Sequence, residues 1–136
     1  MLKVKSERSF TLIEIMLVVG IISLLAAIAI PNLISIKRTA NEAAAKSNIR
    51  SLSGAAETAS VSLGHYPVTL AELHNFIASA EDYCLDVSGG QTSLQGYNYS
   101  CVMDVTGYTF TASPVTSGSS GNITYTASTG GVLTPI

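Results

Sequence analysis

An uncharged apolar stretch from Ile15 to Ile36 constrains the fold of this chain more than any other feature of its 136 residues. These 22 residues, at 1.5 Å per residue, form a helix long enough to cross a hydrocarbon core about 30 Å thick. Lys3, Lys5 and Arg8 precede the stretch, and basic residues in this position stay on the cytoplasmic side. We therefore expect a single-pass helix with a cytoplasmic N-terminus and a translocated remainder.

A carboxylate, Glu14, stands directly before the apolar stretch. The stretch is longer than the core of a secretory signal, and no small-residue cleavage site ends it, so a membrane anchor explains its length. An anchor alone does not explain the acid. A charge costs roughly 2.5 to 3.5 kcal/mol at the centre of a membrane helix and less near the interface, and it usually has a partner.

The sequence around Glu14 resembles the N-terminus of type IV pilins and of the pseudopilins of type II secretion systems. The resemblance is carried by FTLIEIMLVV at residues 10–19 and AAIAIP at residues 26–31. It implies that a prepilin peptidase at the cytoplasmic face removes a leader, residues 1–9, and methylates the new amino group of Phe10. The family usually has Gly before the cut, where this chain has Ser9.

The same resemblance implies a role for Glu14 in assembly. The matching glutamate pairs with the N-terminal amine of Phe10 on a neighbouring subunit, and two charges in a low-dielectric core are tolerated when they are paired. In the alternative reading, Glu14 extends to the lipid headgroups. Gly20 and Pro31 are expected to break the helix in the filament, because proline lacks a backbone donor and the family's helix loosens before the matching proline.

Residues 37–63 are expected to continue the helix as an amphipathic one. Apolar residues recur at spacings of three and four at Ala45, Ile49, Leu52, Ala56, Ala59 and Leu63. Glu42 and Lys46 form an i, i+4 pair, and Lys46, Arg50 and Glu57 occupy another face. Gly64 then supplies a C-cap that ends the helix.

Residues 64–136 are expected to form a head that covers this apolar stripe. Thr69 and Glu72 have the spacing of a capping box that begins a short helix. Alternating residues predict strands at 97–105 and 108–112, joined by a two-residue turn at Thr106–Gly107. A third strand is expected at 123–127 and a short fourth after Gly131. The predicted fold is α+β, with the long N-terminal helix packed on a small antiparallel sheet of about three or four strands.

The chain has two cysteines, Cys84 and Cys101. The compartment implied by the membrane segment is oxidising, which favours a disulfide that contributes about 3 kcal/mol in the chain-entropy model. Two free thiols are the alternative. A metal site would need more ligands than two cysteines and two distant histidines supply.

Charge is divided along the chain. All seven Lys and Arg residues lie at or before Arg50, and six acids follow it. These acids are expected to form a solvated surface. The alternative is calcium binding by Glu81, Asp82 and Asp86, but they lack the ordered spacing of a known calcium-binding loop. An acidic head argues against direct nucleic acid binding. No nucleophile elbow, phosphate loop or cofactor motif is present, which disfavours an enzyme.

The sequence therefore predicts a structural subunit of a type IV pilus. It would be held in the inner membrane, then polymerised by the inner-membrane assembly machinery into an extracellular helical filament of identical subunits. A pseudopilin of a type II secretion system is the first alternative. The major pseudopilin typically has an acidic calcium-binding loop near its C-terminus, whereas no acid follows Asp104 here. A monomeric membrane-anchored binding domain is the second, and the choice among motility, adhesion and DNA uptake stays open.

Overall fold

The computed structural model describes residues 10–136. The leader and Ser9 lie outside the described residues. The chain divides into two compact units. The first ends at Ile34, and the second covers Ser35–Ile136. The helices are α1 (Leu12–Leu63), α2 (Leu70–His74) and α3 (Ala80–Tyr83), and the strands are β1 (Ser88–Leu94), β2 (Tyr97–Asp104), β3 (Gly107–Pro114), β4 (Tyr125–Ser128) and β5 (Val132–Pro135).

The N-terminal unit consists of the first part of α1, whose large apolar side chains are exposed. By length and composition, α1 is able to cross a membrane. The helix is continuous through Gly20 and Pro31, so this single chain has no helix break at either residue. Loosening of the helix inside a filament therefore stays a prediction.

The apolar stripe predicted on the second part of α1 is buried in the C-terminal unit. Ile49, Leu52 and the alanines of the stripe are fully buried. Leu63 was expected to share this burial, but it is 42% exposed because it is the last residue of the helix. Gly64 follows with a φ of 79°, the left-handed conformation of the predicted C-cap.

The sheet is antiparallel throughout and its strands follow the chain in the order β1-β2-β3-β4-β5. Its inward residues form one core with α1, and they include Tyr97, Tyr99, Cys101, Phe110, Ala112, Tyr125 and Ala127. This confirms the α+β class and the packing of the long helix on an antiparallel sheet. The prediction of three or four strands was wrong because it left out β1. This strand contains Gly89 and Gly90, and glycine is depleted in strands.

Two predicted boundaries also differ from the structure. Asp104 pairs with Gly107, so the turn between β2 and β3 is Val105–Thr106, one residue earlier than predicted. The Asp104 carboxylate stabilises this turn by accepting hydrogen bonds from the backbone N–H groups of Thr106, at 2.6 Å, and Gly107, at 3.1 Å. The predicted third strand begins at Tyr125 instead of Ile123, and β5 is the predicted fourth.

Candidate assembly site

The N-terminus of α1 contains a capping box that the sequence analysis missed. Thr11 is the residue before the helix, and its hydroxyl accepts a hydrogen bond from the Glu14 N–H at 3.3 Å. In return, Glu14 Oε2 accepts hydrogen bonds from the Thr11 N–H and hydroxyl, both at 3.0 Å. The signal was present in the sequence as Thr-x-x-Glu, the spacing of a capping box. Glu14 therefore caps the start of the helix as well as carrying a charge.

Phe10 lies two residues before the start of α1, whereas Glu14 lies in its first turn, and the Phe10 side chain is 80% exposed. Phe10 is part of an unprocessed chain here, so its backbone nitrogen is not an amine. The proposed pairing of Glu14 with the amine of another subunit is not tested by a single chain and stays a prediction. Gly20 has no neighbouring atom within 4 Å of the place where a Cβ would lie, so its backbone is open to close approach.

A second cluster joins α1 to the sheet through Glu57, and we call it the Glu57 network: Ser53, Glu57, Tyr66, Tyr108 and Gly130. Glu57 Oε1 accepts hydrogen bonds from the Tyr108 hydroxyl at 2.8 Å and the Gly130 N–H at 2.7 Å. Its Oε2 accepts one from the Tyr66 hydroxyl at 3.2 Å. Because Tyr108 donates its only hydroxyl proton to Glu57, the buried Ser53 hydroxyl, 2.8 Å away, donates to the Tyr108 oxygen.

The Glu57 network sets the ionisation of its members. Burial acts to raise the pKa of Glu57, but hydrogen bonds from Tyr108, Gly130 and Tyr66 outweigh it, and the pKa lies below its ordinary value. Burial raises the pKa of Tyr108 to about 12, so this hydroxyl keeps its proton and donates to Glu57 across the physiological range. Glu57 therefore shares a side of the helix with the exposed Lys46 and Arg50, but its carboxylate is bound by the head instead of being solvated.

Two further hydrogen bonds hold one loop of the head against α1. Asn41 donates to the Ser120 carbonyl at 3.1 Å, and Glu42 Oε1 accepts from the Asn122 N–H at 2.8 Å. Both partners lie in the loop between β3 and β4. Glu42 thus has a backbone partner far along the chain, which its spacing from Lys46 did not predict.

Cys84 and Cys101 form the predicted disulfide, with Cα atoms 5.4 Å apart. It joins the residue after α3 to the inward face of β2, and both cysteines are buried. The pairing of Cys84 with Gln91 also holds this segment along β1. The disulfide therefore fixes the α3 region against the side of the sheet where β1 lies.

The acids proposed as a calcium site do not converge. Asp86 Oδ1 accepts hydrogen bonds from the Ser88 and Gly90 N–H groups at 2.8 Å, so this carboxylate shapes its own loop. Those backbone bonds hold the pKa of Asp86 below its usual value. Glu81 and Asp82 lie exposed in α3. Across residues 10–136, no group of three or more His, Cys, Asp or Glu side chains is arranged to hold a metal ion.

The N-terminal part of the chain, which contains Phe10 and Glu14, matches a known sequence motif. The prokaryotic N-terminal methylation motif matches residues 4–30. The chain is similar to the type IV major pilin protein PilA of Myxococcus xanthus (strain DK1622), with 52% identity over 46 residues, or 34% of this chain and 21% of the relative.

Two other relatives are type II secretion system core proteins G. The protein from Escherichia coli (strain K12) is 38% identical over 71 residues, which cover 52% of this chain and 49% of the relative. The protein from Klebsiella pneumoniae is 33% identical over 86 residues, which cover 62% and 61% respectively. The chain thus spans less than two-thirds of each of these three relatives. By the motif and these relatives, the chain is similar to a type IV major pilin and to core proteins G of type II secretion systems.

Proposed function

We propose that this chain, which has the N-terminal signature of the type IV pilin and pseudopilin family, is the structural subunit of a type IV pilus. The observation that carries the proposal is the exposure of the apolar side chains from Phe10 to Ile36, most of which lie on α1, a helix that begins inside the methylation motif. Such a surface is too large to stay in water. It is buried first in the inner membrane and then against the same helices of other subunits.

Processing and assembly follow from this proposal. Prepilin peptidase cuts between Ser9 and Phe10 and methylates the new amine, and the inner-membrane machinery adds the subunit to a growing filament. Glu14 pairs with the amine of Phe10 on a neighbouring subunit. The pairing is supported by the position of Glu14 in the first turn of α1, close in sequence to Phe10.

Two measurements test the pilus subunit. Mass spectrometry of the mature chain is expected to show a methylated Phe10 at the N-terminus, and electron microscopy of sheared surface material is expected to show long fibres that contain this chain. If the leader is retained and the chain is found only in the membrane fraction, the protein is a monomeric membrane anchor. That result would contradict the proposal.

The role of Glu14 has its own test. Glu14→Ala is expected to leave membrane insertion intact and to reduce the number of filaments. Glu14→Gln is the matched control, because it keeps an oxygen for the Thr11 cap but removes the charge. If Glu14→Gln assembles normally and Glu14→Ala does not, the cap matters and the charge pair is wrong.

A pseudopilin of a type II secretion system is the second candidate. It is favoured by the length of the alignments, since the secretion proteins match over 71 and 86 residues and the pilin over 46. Deletion of the coding gene distinguishes the two. Loss of surface fibres with normal protein secretion supports the pilin, and loss of secretion without loss of fibres supports the pseudopilin.

A further inference from the structure

Two pairs of exposed charged side chains, one basic and one acidic, lie on opposite sides of the C-terminal unit. On α1, Lys46 and Arg50 are exposed and precede Glu57 by eleven and seven residues, or about three and two helical turns. They therefore lie on the same side of the helix as Glu57. Because Glu57 accepts a hydrogen bond from Gly130, in the turn between β4 and β5, this basic pair lies on the β5 side of the head.

The exposed acids of α3 lie on the other side. Glu81 and Asp82 are both exposed. The end of α3 rests on β1, where the Thr92 hydroxyl donates to the Tyr83 carbonyl at 2.7 Å and Cys84 pairs with Gln91. Since β1 and β5 are the two edges of the sheet, the basic pair and this acidic pair are separated by the width of the sheet.

The other acids of the C-terminal unit take hydrogen bonds from uncharged groups of the same chain. These acids are Glu42, Glu57, Glu72, Asp86 and Asp104. Each accepts from a backbone N–H or a hydroxyl, so each has a structural role within the subunit. Glu81 and Asp82 differ from these acids. Both are exposed, and within residues 10–136 neither side chain accepts such a hydrogen bond.

We propose that a second copy of this chain docks on the first through these two patches, with Lys46 and Arg50 on the β5 side of one subunit facing Glu81 and Asp82 on the β1 side of the next. The inference rests on the proposed filament. A contact between two different patches is heterologous, so each subunit keeps one unoccupied patch and the contact extends into an open helical array. Charge complementarity of this kind fixes partner and register more than it adds affinity.

Charge exchange between the patches tests the contact. The variant Lys46→Glu with Arg50→Glu is expected to lower the yield of sheared filaments about three- to tenfold, the effect of losing two exposed ion pairs at each contact. Adding Glu81→Lys with Asp82→Lys to the same chain is expected to restore the yield, because the two patches are then exchanged. Membrane levels of each variant show that it is stably made.

Cross-linking tests the same contact without changing its charge. Arg50→Cys and Asp82→Cys are expressed in one cell on two chains that carry different epitope tags, and filaments are treated with a short thiol-specific cross-linker. A product that carries both tags is expected. The matched control pairs Asp82→Cys with Thr116→Cys in the exposed β3–β4 loop, which is expected to give no such product.

The outcomes separate this inference from the proposed function. Normal filaments from the reversed-charge variant, with no doubly tagged product, would overturn the contact and leave the pilus subunit standing. Cross-linking of Arg50→Cys to a protein of different mass, without a doubly tagged product, would likewise overturn it. Failure of the unmodified chain to appear in any filament would overturn the proposed function itself.

Discussion

Removing the Glu57 carboxylate should destabilise the head, because this side chain joins α1 to β3 and to the β4–β5 turn. A hydrogen bond to a charged group contributes about 1.5 to 3 kcal/mol. The bond from the Tyr108 hydroxyl is expected to contribute an energy within this range, because Tyr108 is buried. Gly130 is exposed and Tyr66 is only partly buried, so their bonds contribute less. We therefore expect Glu57→Ala to lower the free energy of unfolding by about 2 to 3 kcal/mol.

The measurement is urea unfolding of the full-length chain in detergent, followed by the near-ultraviolet circular dichroism of the tyrosines. Glu81→Ala is the matched control, since it removes an exposed carboxylate from α3 and should change stability by less than about 0.5 kcal/mol. If Glu57→Ala loses no more stability than Glu81→Ala, the Glu57 network does not hold the helix to the sheet. A cycle with Tyr108→Phe then isolates the pair, and strictly additive losses would show no coupling.

Acid should remove the same contribution. The pKa of Glu57 in the folded chain lies below its ordinary value of 4.5, so its stabilising effect is complete above that value and is lost as the pH falls through the folded pKa. The difference in unfolding free energy between the wild type and Glu57→Ala should therefore be constant near neutral pH and shrink below pH 4.5. A difference that grows as the pH falls contradicts the assignment.

Three other substitutions probe the packing of the head. Replacing Cys84 and Cys101 by serine opens a loop with a sequence separation of 17 and should cost about 3 kcal/mol in urea unfolding, and an unchanged midpoint would contradict this. Gly121→Ala places a Cβ on the Tyr97 hydroxyl and should cost about 1 to 3 kcal/mol by overpacking, measured in the same way. Gly54→Ala, where a Cβ meets nothing within 4 Å in the middle of α1, should instead stabilise the chain by up to about 1 kcal/mol.

The parts of the fold that could be predicted from sequence are those set by local periodicity. The apolar stretch and the three-four spacing that follows it predicted α1 to its last residue, Leu63. Alternation along residues 97–105 and 108–112 predicted β2 and β3, although Val105 lies in the turn between them. In each case neighbouring residues alone decide which side of an element is apolar.

The features that sequence reasoning missed depend on distant residues or on weak local signals. β1 has two glycines and small polar residues, so only its pairing with β2 makes it a strand. The contact between Glu57 and Gly130 joins residues 73 positions apart, and nothing near Glu57 distinguishes it from a solvated acid. The pairing of α1 with the loop at Asn122 is missing from the prediction for the same reason.

The capping box changes how Glu14 should be understood under the proposed function. Both donors of Thr11 end on Oε2, so the lone pairs of Oε1 are not used by this cap. Two neutral donors also leave the negative charge in place, and a charge in a low-dielectric filament core still requires a cation. Capping and pairing are therefore compatible. Thr11 holds the carboxylate at the first turn of α1 in the monomer, and the methylated amine of a neighbouring Phe10 would supply the missing charge when the filament forms.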